Sequence, residues 1–335
     1  MKMMKAIMFE KTGPPDVLKY VDVDMPKPAP AQVLVKAHSI GVGHPEVLVR
    51  SGQYAWMPPL PMIPGIEMSG TIVQRGKDVT QLKIGQAVFV SAREFSARGG
   101  CYAEYIAVDA DALYPLPEGI DLEEAASLSN FQVAWHLLHT ALCGIKYQSF
   151  LATASSGGVG SALIQLGKST DKKVIGIVRS KEQADFVLRL GADGVINEKT
   201  ENITERIRTL TSDRGVDAIL DSIGGPGFTD QFERLAPFGT LISYGQIIGN
   251  PSGDALGEMQ RLMGACPGLR FFSMHALDQN RPKRRQATEE VIGLLAKGRL
   301  KPPIWKCLAL SEASKAHTLL SSGKVLGKII LKPGA

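Results

Sequence analysis

Residues 152–168 read ATASSGGVGSALIQLGK, and this stretch decides the fold. An apolar run, SFLATA (149–154), passes through a glycine-rich turn into a segment with helical apolar spacing. A turn of this kind lets backbone approach a pyrophosphate, and the helix N-terminus behind it offers N–H donors and positive potential. Gly157 and Gly160 fit the last two glycines of Gly-x-Gly-x-x-Gly, while Ser155 stands at the first. The turn is therefore assigned to a dinucleotide, with Ser155, Ser156, Gly157, Gly158, Val159 and Gly160 as binding residues.

Outward from the turn, strand and helix candidates alternate: KVIGIVRS, KEQADFVLRLGA, DGVIN, ITERIRTLTSD, VDAILDSIG, FTDQFERLA and GTLISYG. Apolar strands between amphipathic helices predict a doubly wound parallel sheet. Upstream the character changes. MKAIMF, QVLVKAHSI, MSGTIVQRG, QAVFVSA and AEYIAVD are short β-rich runs separated by turn signals, which predicts an all-β barrel or sandwich. After about residue 268 come a helix (ATEEVIGLLAKG), the run KPPIWKCLAL, a second helix (SEASKAHTLLSSG) and a final strand, GKIILK.

The 335 residues are 44% hydrophobic and 21% charged, which excludes a disordered or fibrous chain. The 35 glycines, about a tenth of the chain against a usual ~7%, place the excess at turns. A net charge of +5 is mild. The basic run Arg281, Lys283, Arg284, Arg285 reads as a solvated loop or helix start, and no nucleic-acid partner is expected. Four scattered cysteines form no Cys-x-x-Cys pair, which suits a reducing compartment. The opening MKMMKAIMFEKTG lacks the apolar core of a signal peptide, and no run has the roughly 18 apolar residues of a membrane span. A soluble, cytoplasmic protein is expected.

The second strand selects the cofactor. An NAD site places Asp or Glu about 20 residues beyond the glycine turn to hold the ribose hydroxyls. Here KVIGIV ends in Arg179, Ser180 and Lys181, with no acid before Glu182. Two cations and a hydroxyl suit a 2′-phosphate, so NADPH is predicted over NADH.

With PGIEMSGTIVQRG (64–76), VRSGQY (49–54), GGCYAEYIAV (99–108), ASSGGVG (154–160), LGAD (190–193), GVDAILDSIGG (215–225) and GKIIL (327–331) in this order, the chain resembles the medium-chain dehydrogenase/reductase superfamily. Within it, the resemblance is to the zinc-independent, zeta-crystallin-like quinone oxidoreductases. It implies an α/β protein with a GroES-like β-barrel catalytic domain in two parts, residues 1–125 and 268–335, around a Rossmann NADP-binding domain, 126–267. It also implies a homodimer or tetramer joined by edge strands of the nucleotide domain. Further cofactor contacts implied by the family are Gln132, Ser222, Tyr244, Gly245, Gln246, Phe272, Ser273, Met274 and Lys328. A Tyr or Lys that some relatives use near the adenosine phosphate is replaced by Glu198 and Gln183.

Departures from the pattern shape the expected chemistry. Zinc-dependent relatives carry a Cys in the turn matching GVGHPE and a His in Gly-His-Glu; here these are Gly43 and Ile66. Neither ligates zinc, and a catalytic site needs about three protein ligands, so no metal is expected. Quinone reductases often have an Asn at Gly43 and a Tyr at Leu48, and both are missing. Tyr54, after the Arg-Ser-Gly turn, is the catalytic candidate, for a hydrogen bond to substrate or nicotinamide; a ring packed at the cleft wall is the alternative. The expected reaction is hydride transfer from NADPH to a quinone or activated alkene, an enone or enoyl thioester. A non-catalytic NADPH-binding structural or regulatory protein is the competing reading.

Overall fold

Glycine turns and apolar strands organise the chain as the pattern suggests. The computed structural model describes residues 2–95 and 98–334. It divides into two compact units, Met1–Ser129 with Thr288–Ala335, and Asn130–Ala287.

The second unit is built on six strands: Ser149–Ala152, Lys173–Val178, Gly194–Asn197, Val216–Asp221, Leu235–Ser243 and Gly268–Phe271. Numbered along the chain they lie in the order 3-2-1-4-5-6, and every neighbouring pair is parallel. Leu151, Ile175, Ile177, Ile219 and Leu241 are buried in a core that also takes Phe228 and Phe232. Strands buried on both faces cannot alternate apolar and polar residues, which explains the near-continuous apolar runs. The order reverses beside the first strand, and ligands of such sheets bind at the carboxyl ends there.

The first unit holds the antiparallel pair Met3–Met8 and Lys19–Asp24 and a seven-stranded sheet. The long strand Gln32–Val42 is its axis. Its first half pairs with Tyr105–Asp109, its end pairs with Lys328–Lys332, and Glu67–Arg75 lies on its other side. The C-terminal strands Ile304–Ala309 and Lys328–Lys332 are parallel, with helix Ala313–Ser321 between them in the chain. The C-terminal segment thus completes the N-terminal sheet.

Three segments differ from the sequence reading. The turn GVGHPE does not continue as a loop: His44–Ser51 is a helix, with Pro45 in its first turn and Gly52 closing it in the left-handed region, φ 77°. The stretch DLEEAASLSNFQVAWHLLHTAL (121–142), whose opening acids and helical apolar spacing predict one helix, is broken into Leu122–Ala125, Leu128–His136 and a wider turn, Leu137–Ala141. The basic run starts the helix Arg281–Ala296, but Arg284 is not solvated. It is 4% exposed and donates at 2.7 Å to the carbonyls of both Leu277 and Asp278, closing the turn before it. No helix among the described residues is long and apolar enough to cross a membrane.

Candidate active site

The glycine turn lies just beyond the carboxyl end of the first parallel strand. Gly157 is the N-cap of helix Gly158–Lys168 and no side chain caps it, so the first-turn N–H groups are left for a ligand. Glycine is required here by contact. A Cβ on Gly160 would stand 2.5 Å from the Ala154 carbonyl and 2.6 Å from the Ser155 Cα, and one on Gly158 would overlap the Asn130 amide. Ser155 is buried, its hydroxyl donating to the Ala152 carbonyl at 2.6 Å. Ser156 is buried too, and Gly157, Gly158 and Val159 are half-buried. Ser155 thus fixes the turn, and the backbone of 157–160 presents the donors.

The other expected contacts of this unit gather at the same ends of the remaining strands. Arg179, exposed, follows the second strand. Ser180 caps the next helix, accepting from the Gln183 N–H at 3.2 Å, while Gln183 Oε1 accepts from the Arg179 N–H at 2.9 Å. Gln183 therefore ties the end of the second strand to the start of this helix, its N–H on the cap and its side chain on the residue before it. The Ser180 hydroxyl keeps its own proton to donate. Lys181 is exposed and paired with Asp185 at 2.7 Å. Exposed pairs of this kind are worth about 0–1 kcal/mol, so the ammonium is readily released to another anion. Glu198 follows the third strand, its N–H bound to the Val178 carbonyl at 3.0 Å.

Ser222 follows the fourth strand, and Tyr244, Gly245 and Gln246 follow the fifth. The Ser222 N–H donates to Thr153 Oγ1 at 2.9 Å, and its carbonyl accepts from the Ile247 N–H at 3.1 Å, which ties these turns together. Burial raises the Tyr244 phenol, which is hydrogen-bonded to Ser222. Phe272 follows the sixth strand, its N–H on the Ser243 carbonyl at 2.8 Å. Ser273 caps the turn that holds the buried Met274. Gln132 is buried, its amide donating to the Arg284 carbonyl at 3.4 Å.

Tyr54 and Lys328 belong to the first unit. Tyr54 is half-buried against that unit's core and meets Trp56 edge-on, centroids 5.8 Å apart. Lys328, 3% exposed, is ion-paired with the fully buried Glu67. The second Glu67 oxygen accepts from the Ser129 N–H at 2.8 Å, so both oxygens are engaged. Glu46, 2% exposed, accepts from the Ile66 N–H at 3.3 Å through one oxygen, while the other has no partner. Burial, opposed by Lys328, pushes this carboxyl up to about 7. Burial also raises the Cys101 thiol and the Tyr102 phenol. Tyr102 is bonded to His317 at 3.1 Å, and burial drives that imidazole down to about 3. The sequence reading did not single out the pairing of Glu67 with Lys328; the visible signal was a lysine inside the apolar run GKIIL. Among the described residues no group of three or more His, Cys, Asp or Glu side chains converges to hold a metal.

Residues 29–118 match the alcohol dehydrogenase GroES-like domain, and residues 190–331 match the zinc-binding dehydrogenase family. Rat quinone oxidoreductase is 34% identical over 98% of each chain. The chain belongs to the zeta-crystallin-like quinone oxidoreductases of the medium-chain dehydrogenase/reductase superfamily. Similar solved structures come from members of the same group. Escherichia coli quinone oxidoreductase complexed with NADPH superposes with a TM-score of 0.86 at 29% identity, covering 98% of this chain and all of the other. The Pseudomonas syringae quinone oxidoreductase superposes at 0.87 with 30% identity, covering 99% and 100%. The two units are accordingly the GroES-like and Rossmann domains of this family.

Proposed function

We propose that this quinone oxidoreductase family member reduces quinones, and electron-poor alkenes such as enones or enoyl thioesters, with NADPH and without zinc. The observation that carries the reading is the uncapped helix start at Gly157, in a turn too tight for any Cβ at Gly158 or Gly160, at the switch point of a 3-2-1-4-5-6 sheet. These residues fit a dinucleotide: N–H groups of 158–160 for the pyrophosphate, and Arg179, Ser180 and Lys181 for a 2′-phosphate. NADPH when bound supplies the hydride.

The chain's own residues bind and orient. Ser155 holds the phosphate turn in shape, with Asn130 packed against Gly158, and the turns at Ser222 and Tyr244 are tied to each other. Gly43 and Ile66 supply no metal-binding atoms where zinc enzymes of the superfamily ligate their metal, which supports a zinc-free reaction on an acceptor that is already electron-poor. Tyr54 is proposed to hydrogen-bond the substrate or the nicotinamide. A homodimer through the edge strand Gly268–Phe271 belongs to the same reading, supported by Phe238 and Phe271, 76% and 63% exposed. So does a cytoplasmic location, supported by four free cysteines.

The test is NADPH consumption by the purified protein against a panel of quinones and enones, with metal content measured on the same sample. Turnover with no stoichiometric zinc is expected. Tight NADPH binding with no turnover of any acceptor would instead favour a binding or regulatory protein, and bound zinc at one per chain would overturn the metal-free mechanism.

A further inference from the structure

We propose that Arg234 sets the preference for NADPH over NADH: it draws the Glu198 carboxylate into a cavity beside the third strand and offsets its charge. Arg234 is thus a positioning residue of the cofactor site, acting through an acid that repels the 2′-phosphate when left alone. The inference rests on the placement of that phosphate at Arg179, Ser180 and Lys181, and on the second unit alone for its geometry.

The register of the sheet brings Glu198 to the phosphate. Asn197, the last residue of the third strand, lies opposite Val178, the last of the second. The Glu198 N–H then donates to the Val178 carbonyl at 3.0 Å, so Glu198 comes level with Arg179. A phosphate monoester carries about −1.5 to −2 charges near pH 7, and a carboxylate one strand away from its arginine works against it. An NADPH site with an acid at this place needs a cation to answer it.

That cation stands on the other side of Glu198. A cavity of about 660 Å³ opens between the start of helix Ile203–Thr211 and the short helix Thr229–Arg234, and its charged lining includes Glu198, Glu201, Asp230, Glu233, Arg234 and Arg261. Most of these charges are already matched. Glu201 accepts from the Asn197 N–H at 2.7 Å and pairs with Arg206 at 2.9 Å. Arg261 is held between Glu233 and Glu258. Glu198 and Asp230 are left without an ion pair among the described residues, and Arg234 is the remaining lining cation.

Arg234 is fixed where it can serve both. Its Nε donates to Thr204 Oγ1 at 3.2 Å, across from one helix to the other, which orients the planar guanidinium. Burial lowers its proton affinity, and Asp230, Glu233, Asp221 and Glu198 raise it in return, so the carboxylates around it feel its charge. An arginine stays protonated in any such site. Glu198 is exposed, so its side chain has room to turn, and the cation it faces decides which way it stays.

The test measures NADPH and NADH dissociation constants by calorimetry for the wild type, Arg234→Met, Glu198→Gln and the double variant. Arg234→Met is expected to weaken NADPH about 10-fold and to leave NADH within about 2-fold; Glu198→Gln added to it is expected to restore NADPH. Glu198→Gln alone leaves Arg234 uncompensated and is expected to tighten NADPH about 3-fold with NADH unchanged. Arg234→Lys keeps the charge and is expected to keep the preference. Equal losses for both cofactors in Arg234→Met would make Arg234 a purely structural residue and overturn the proposal. So would unchanged NADPH affinity, or a loss that persists in the double variant. If Arg234→Met does not fold, Glu198→Gln alone decides, and NADPH affinity that fails to rise relative to NADH overturns the pairing. Arg179→Ala, measured alongside, separates the two readings. A selective NADPH loss there with none in Arg234→Met sinks the Arg234–Glu198 pairing alone, whereas a wild type with equal affinity for both cofactors sinks the 2′-phosphate placement and the pairing with it.

Discussion

Gly160→Ala tests the phosphate turn, because backbone closes its site from three directions. The added Cβ would lie 2.5 Å from the Ala154 carbonyl, 2.6 Å from the Ser155 Cα and 2.8 Å from the Ser155 carbonyl carbon. Ordinary contact begins near 3.4 Å, so turn and helix must part by roughly 0.9 Å. Overpacking of this kind costs about 1–3 kcal/mol, and a shift of this size removes at least one hydrogen bond to a charged phosphate, worth about 1.5–3 kcal/mol. The expected result is a rise in the NADPH dissociation constant of roughly 10- to 150-fold by isothermal titration calorimetry. Gly264→Ala, where a Cβ meets nothing within 4 Å, serves as control and is expected to bind as the wild type does. A Gly160→Ala protein with unchanged affinity and unchanged melting temperature would refute the argument that the turn is shaped for a pyrophosphate.

Arg179→Ala should weaken NADPH about 10-fold or more, the worth of one charge-assisted hydrogen bond, while leaving NADH affinity unchanged; equal losses for both would remove the 2′-phosphate contact. Lys328→Met leaves the buried Glu67 carboxylate unpaired and is expected to cost about 3–5 kcal/mol in urea unfolding. The same measurement against pH carries two signs. Glu46 binds its proton more tightly folded (about 7) than exposed (4.5), so its contribution is present below pH 4.5 and lost as pH rises through 7, about 3 kcal/mol in all. Glu46→Gln should flatten that slope. His317, down from 6.5 to about 3, works oppositely: its contribution is present above pH 6.5 and lost as pH falls towards 3.

Local pattern carried the nucleotide-binding unit. Each of its first four strands is a short apolar run next to a turn signal, and the glycine turn announces its contact with backbone directly. What local pattern concealed were features made by distant partners. Glu67 and Lys328 are 261 residues apart in sequence, and nothing near either one marks it as half of a buried ion pair. Gln183 reads as a lost phosphate contact, whereas its N–H is capped by Ser180 and its Oε1 accepts from the Arg179 N–H. Arg284 sat in a basic run that reads as solvated, yet it folds back onto two carbonyls. His44–Ser51 was hidden because a Gly-His-Pro start reads as loop, although Pro is well suited to a first helical turn. The edge strand Gly268–Phe271 is four residues long and lies where the periodicity fades.

Hydride transfer from NADPH to a quinone is read by following the loss of reduced nicotinamide absorbance with and without a quinone. Quinone-dependent oxidation of NADPH is expected, faster than that of NADH at equal concentration, with the hydroquinone formed in equal amount. No quinone-dependent oxidation of NADPH at saturating cofactor, or a rate restored only by added zinc, would contradict it.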